Sequence, residues 1–283
     1  MPSNPYRSTG VAILVVVLIF GGLAYAGFRT FERLTATPPP PPGCDAGTAA
    51  QNFDLDTGQA AIASTIAGVA ARHHLPQQAL TIAYATALQE SDLENLDYGD
   101  RDSVGVFQQR PSQGWGTAAQ IENPVYATTR FFDALVAVPK YTKIPIDVAA
   151  QDVQHSADGS AYGQYDDVAA EFATAFTTRG GVWCWYQPTA TQHADVTATE
   201  QDMRATFGAL TGTTGRSAKM RFNVRGDEAW TVADWLVTHA QQYEISYVQY
   251  AGYEWKATTG SMGWQPDPGQ HSPGPVSSGI VAG

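Results

Sequence analysis

The sequence predicts a mainly α-helical body, with an apolar helix before it and a small α+β module after it. Three observations predict this. Apolar residues recur at helical spacing in five segments between Gly58 and Thr177. Ser8 to Phe28 carry no charge, and Val11 to Phe20 are all apolar. Ser246 to Thr258 alternates as a pair of strands does.

The elements follow in order. A helix over 8–28 spans ~32 Å, about one bilayer core. This predicts a short cytoplasmic segment (1–10) and a transmembrane signal anchor (11–28), through which the chain meets a membrane. The alternative is a signal peptide cut after Ala24-Tyr25-Ala26, a small-x-small site. The length of the apolar run favours the anchor. Arg7 on one side and Arg29 and Arg33 on the other do not orient it. Residues 29–47 read as a linker. In it Pro38 to Pro42 favour polyproline II, a stiff spacer of ~3 Å per residue.

The body spans 48–185. Gly58 to His73 puts Ile62, Ile66, Val69 and Ala70 on one helix face, with Asp56 or Thr57 as cap. Pro76 opens a second helix through Leu80, Ile82, Ala83, Ala87 and Leu88, which ends at Glu90-Ser91. Leu93 to Gly116 is rich in Asp, Gly, Gln and Pro and reads as loop or short hairpin. Asn123-Pro124 opens a third helix (Val125, Phe131, Phe132, Leu135). Pro145 opens a fourth, around Val148 and Val153. Tyr165 to Thr177 forms a fifth, and Gly180-Gly181 ends the pattern. Residues 186–225 read as a linker with a candidate helix at Thr199–Leu210. Residues 226–265 read as the α+β module, with a helix from Gly226 to Ile245 and a hairpin turning at Ala251-Gly252. Residues 266–283 read as a disordered Pro/Gly/Ser tail.

Composition narrows the function classes. The net charge of −11 argues against nucleic acid, which needs a basic face. Seven Trp, 13 Tyr and 11 Phe are ample for a packed core. Two cysteines are too few for a disulfide scaffold or a Cys-based zinc site. Cys44 and Cys184 bracket the body as one disulfide would, and such a bond places it outside the cytosol. The other reading is two unrelated thiols. His73 and His74 are adjacent on a helix and point about 100° apart. His155, His193, His239 and His271 are isolated, so no metal site is expected. No phosphate-cradling glycine loop or nucleophile elbow occurs, and no cofactor is expected. The sequence names no protein partner.

The chemistry concentrates at Glu90 and the loop after it. A carboxyl that ends an apolar helix beside a Gly/Gln/aromatic loop is partly desolvated. Desolvation disfavours the charged form of a carboxyl, which suits a general acid. Amides bind sugar hydroxyls, and aromatic faces bind pyranose rings. Tyr98, Gln108 and Gln109 are therefore candidate substrate-binding residues. In the C-terminal module Trp230, Trp235, Tyr247, Tyr250, Tyr253, Trp255 and Trp264 are either a glycan platform or core, and helix and strand spacing favours core.

Glu90-Ser91, followed by Gly105-Val106-Phe107-Gln108, resembles the Glu-Ser and Gly-Leu-Met-Gln signatures of lysozyme-like lytic transglycosylases of the soluble type. The string from Asp97 to Gly116 is similar to one in uncharacterised exported actinobacterial proteins. The resemblance covers about Thr48 to Cys184. It implies a lysozyme-like helical domain acting on peptidoglycan glycan strands at the MurNAc–GlcNAc β-1,4 bond. It implies Glu90 as the single acid/base, Ser91 as its orienting neighbour and Gln108 in the substrate groove. The family also carries an Ala-Tyr-Asn motif on a later helix. The comparable region reads Asp152-Val153-Gln154-His155-Ser156, so Gln154 would replace the amide and Tyr162 or Tyr165 the ring.

Two alternatives stand beside this one. A hydrolase would use Glu90 with a second carboxylate, Asp97 or Asp102 being the candidates. A non-catalytic wall-binding protein would keep the fold without the chemistry.

Overall fold

The computed structural model describes residues 22, 25–28, 30, 31, 40–49, 51–155, 161–189, 193–210, 212–214, 219–224, 226–267 and 279–283. The chain divides into two units, Met1–Pro40 and Pro41–Gly283. In the first unit residues 25–28 are helical. Val11 to Phe20, at the heart of the expected anchor, lie outside the described residues. Among the described residues no helix is long and apolar enough to cross a membrane. The span expected at 11–28 falls mostly outside them, and none is found among the described residues.

The second unit is built around two Ala-rich helices, α1 (Thr57–Arg72) and α2 (Gln77–Ser91). Asp56 caps α1 in a reciprocal box with Gln59, which satisfies two end donors at once. Small side chains let other elements approach α1 and α2 from several sides, and Ala79 to Leu88 are buried without a break. Helices α3 (Ala118–Ile121), α4 (Pro124–Ala137), α5 (Ile146–Gln154) and α6 (Asp166–Ala175) pack around this pair. The five predicted body helices thus occur at α1, α2, α4, α5 and α6, each starting within about three residues of the expected start.

The expectation of a mainly α protein is overturned. The chain is mixed α+β, about half helical, with two antiparallel sheets. The first sheet has the order β2-β1-β3, from β1 (Gly43–Gly47), β2 (Asn52–Leu55) and β3 (Val182–Trp185). Cys44 faces Cys184 in the β1–β3 register, and the two form a disulfide. Closing a loop of 140 residues limits the unfolded chain by about 5 kcal/mol in the chain-entropy model.

The second sheet runs β4-β5-β9-β6-β7-β8. Its strands are β4 (Gly212–Thr214), β5 (Met220–Phe222), β6 (Tyr247–Tyr250), β7 (Tyr253–Lys256), β8 (Gln265–Pro266) and β9 (Ile280–Ala282). The β6–β7 turn has positive φ at Ala251 (50°) and Gly252 (80°), as the predicted two-residue hairpin requires. Helix α7 (Val196–Phe207) answers the candidate helix at Thr199–Leu210, starting three residues earlier, whereas β4 and β5 lie in the expected linker, β9 lies in the expected tail and β8 straddles the tail's start. Strands of two to five residues without a hairpin turn beside them escape a search for periodicity, because one or two alternations carry no signal. Each is stabilised by its neighbour's backbone instead.

No gap separates the module from the body. Helix α8 (Asp227–Thr238) packs on α1, and the short α9 (Ala240–Tyr243) follows it. Ser64 Oγ and Thr238 Oγ1 share a buried hydrogen bond of 2.6 Å. Trp255 Nε1 donates to Cys184 O and Trp264 Nε1 to Val182 O. Trp235 and Trp255 are buried outright, so those two aromatics are core.

Candidate functional site

The end of α2 sets the position of Glu90. Asp92 and Leu93 both take positive φ (54° and 60°), and their N–H groups return to Leu88 O and Ala87 O. An Asp tolerates this left-handed turn better than most residues. The helix therefore stops just past Glu90 and Ser91, leaving Ser91 buried and Glu90 half-buried.

The loop after it folds onto that end. Gly105 has φ +77°, and a Cβ there would lie 2.7 Å from Ile121 O, so no other residue fits. The turn it permits bridges Val104 to Gln109 and buries Val106 and Phe107. Phe107 stacks on Phe131 of α4 at 4.5 Å. The turn thereby presents two backbone carbonyls to the site. Ser91 Oγ donates to Val106 O at 2.7 Å, and Gln154 Nε2 donates to Phe107 O at 2.7 Å.

Glu90 receives two hydrogen bonds on the same oxygen. Tyr162 Oη donates to Oε1 at 2.6 Å, and Gln154 Nε2 lies 3.3 Å from it. Tyr162 is buried, so its hydroxyl is a fixed donor. Among the described residues, Oε2 has no donor. Gln154 ends α5, where His155 takes φ 52° and closes the helix. One amide thus ties α5 both to the loop and to the carboxyl. The two nitrogen hydrogens of that amide suffice for both acceptors.

The structure brings Glu90, Ser91, Gln154 and Tyr162 together, and it places the other candidates elsewhere. Gln109 is buried at 2% exposure and donates to Ala127 O, so it faces the core and not a groove. It adjoins the Gly105 turn, where the Val104–Gln109 bridge directs its side chain inward. Gln108 spends its amide nitrogen on Tyr98 O and Gly105 O, both at 3.2 Å, and so braces the loop. Tyr98 is 68% exposed on the loop surface. Tyr165 sits in the short 3-10 turn Gly163–Tyr165 leading into α6.

The two candidate second carboxylates differ from Glu90. Asp97 is exposed. Asp102 accepts the Ser112 N–H at 2.7 Å, the Arg110 Nε at 2.9 Å and the Ser112 hydroxyl at 2.9 Å. The Ser112 backbone N–H, followed by the Arg110 side chain, lowers its pKa to about 2. It is an ionised strut of the loop.

Sequence reasoning passed over two features. Gln164 Nε2 donates to Gln89 Oε1 at 2.8 Å, an amide pair next to Glu90. The string Ala161-Tyr162-Gly163 also contains an Ala-Tyr pair closer to the expected motif than Asp152–Ser156 does, and it was legible in the sequence. Beside Gln154, a cavity of about 630 Å³ is lined by His155, Trp115, Arg130 and Asp133 among others. Among the described residues no group of three or more His, Cys, Asp or Glu side chains could hold a metal ion. No protein-family model matches the sequence, and no curated protein matches it.

Proposed function

We propose that the chain is an exported peptidoglycan-cleaving enzyme of the lytic transglycosylase type, with Glu90 as its acid/base. The observation that carries this reading is the pair of neutral donors on Glu90 Oε1, which leaves Oε2 for a substrate.

The chemistry needs one carboxyl that first gives and then takes a proton. Protonated Glu90 Oε2 gives its proton to the glycosidic oxygen as the bond from that oxygen to the anomeric carbon breaks. The 6-hydroxyl of the same sugar then attacks the anomeric carbon, and its proton returns to Oε2. The product is a 1,6-anhydro sugar, water is not consumed, and the carboxyl is restored. Neutral donors hold such a group in place without fixing it in the charged form, as a cation would. Ser91 acts through Val106 O to keep the loop on the helix end.

The disulfide supports an oxidising, extracytosolic compartment for Pro41–Gly283. The hydrolase reading is less favoured, because Asp102 is committed to Arg110 and Ser112. Digestion of purified peptidoglycan, followed by mass spectrometry, tests the proposal. Anhydro-ended muropeptides are expected from the parent chain and none from Glu90→Gln. Reducing ends would turn the reading into a hydrolase. Equal digestion by parent and variant would remove Glu90 from the chemistry.

A further inference from the structure

A cleft of about 780 Å³ opens where α1, α2 and α8 meet, toward the opposite end of α2 from Glu90. Leu80, which lines it, is ten residues before Glu90, or ~15 Å along the helix. The cleft is thus separate from the carboxyl site.

Its lining joins apolar Ala67 and Ala70 of α1 and Leu80 of α2 to polar His74, Gln77 and Thr177. Trp230 of α8 forms a wall. Its half-buried ring is fixed edge-on by Tyr250, Trp264 and Tyr253, with centroids 5.0, 5.3 and 6.3 Å away. A ring held this way loses little freedom when a ligand covers it.

Opposite charges line the same cleft. Arg179 is exposed, and its guanidinium lies 5.1 Å over the Tyr253 ring, which steadies it without neutralising it. Glu228 stands in the first turn of α8, where the helix dipole supports a negative charge. Among the described residues neither is in an ion pair. A neutral sugar would leave both charges unanswered, and a polyanion would meet Glu228 and the acidic surface. A short peptide with both charges and an apolar side chain answers the two charges and the apolar surface together.

We propose that this cleft binds a short zwitterionic peptide. The peptide carboxylate pairs with Arg179, its ammonium with Glu228, and its apolar part lies against Trp230, Ala67 and Ala70. Resting on the reading of Glu90 as a wall-glycan acid/base, the peptide is the stem peptide that the glycan carries. Its diamino acid supplies the ammonium.

The test uses the full chain with Glu90→Gln, titrated by calorimetry with a free stem peptide containing a diamino acid. Parallel titrations use the same peptide amidated at its carboxylates and glycan strands without peptides. Saturable binding of the free peptide is expected. Adding Arg179→Glu, at an exposed position, weakens it about tenfold or more, as amidation does, and amidation has no further effect in that variant. The proposal is overturned if the free peptide does not bind, if Arg179→Glu leaves its affinity unchanged, or if bare strands bind in an Arg179-dependent way.

Digestion of bare strands by the chain with Glu90 intact, compared with Glu90→Gln, is a separate readout of the catalytic reading. If the parent cleaves nothing while peptide binding still depends on Arg179, the catalytic reading fails and the peptide site stands. If cleavage depends on Glu90 and no peptide binds, the reverse holds.

Discussion

Two carboxyl groups, one at the end of α2 and one in the loop that follows it, are held in different ways. Glu90, at the end of α2, takes hydrogen bonds from a phenol and an amide on one oxygen. Asp102, in the loop, takes a backbone N–H, a guanidinium and a hydroxyl across both of its oxygens. A carboxylate saturated by charged and backbone donors stays ionised and has no proton to give. One held through a single oxygen by neutral groups keeps the other oxygen for exchange. Burial alone does not separate them, since both are partly exposed. The identity of the donors does.

The largest expected effect breaks or keeps this comparison outright. Glu90→Gln should lower the rate of muropeptide release by about 10³-fold, read by chromatography of a wall digest. A similar loss in Asp102→Asn would make the two carboxyls partners and erase the distinction. Next, Tyr162→Phe removes the 2.6 Å donor while leaving the ring. Turnover should drop by about 10- to 100-fold with little change in half-saturation. A pure rise in half-saturation would mean that Tyr162 binds substrate and does not position Glu90.

A third carboxyl extends the comparison to a group with no donors. Asp234 of α8 is fully buried, and neither of its oxygens has a hydrogen-bond partner among the described residues. Burial pushes its pKa well above 3.8. Its folded form therefore keeps its proton to higher pH than the unfolded chain does. The stability this gives is complete below pH 3.8 and is lost as pH rises toward the folded value. His239, lowered by burial to about 4, acts in the other direction as pH falls from 6.5. The difference between parent and Asp234→Asn isolates the carboxyl. By denaturant unfolding, the variant should gain on the parent progressively as pH rises above 3.8. A pH-independent difference would mean that Asp234 finds a partner in solution.

The smallest effect is at Asp102. Its stabilisation is present above pH 3.8 and is lost as pH falls toward 2. Asp102→Asn should leave activity within a few-fold at neutral pH and flatten the acid limb of the melting profile. Melting temperatures across acid buffers check this.

Legibility differed between these regions for a physical reason. The five body helices were legible because each runs for two turns or more, so its apolar spacing repeats. Glu90-Ser91 was legible because the helix signal ends there and the Gly-x-x-Gln turn follows. Gln154 and Tyr162 were named as substitutes for an amide and a ring, and both meet Glu90. Gln109 read the same as Gln108 in the sequence, yet the turn at Gly105 sends it into the core. Asp102 and Asp97 read alike until Arg110 and Ser112 closed on one of them.

The sequence by itself determined the helical segments, the hairpin at Ala251-Gly252 and the carboxyl at a helix end. These depend on local spacing, local turn chemistry and the point where a pattern stops. Only the tertiary structure decided that Cys44 meets Cys184 across two short strands and that Ile280–Ala282 threads the middle of a sheet. It alone also decided that Tyr162, 72 residues away, donates to Glu90. Such contacts join residues far apart in the chain. Neither partner carries a local mark of the other, and packing, not periodicity, chooses the pair.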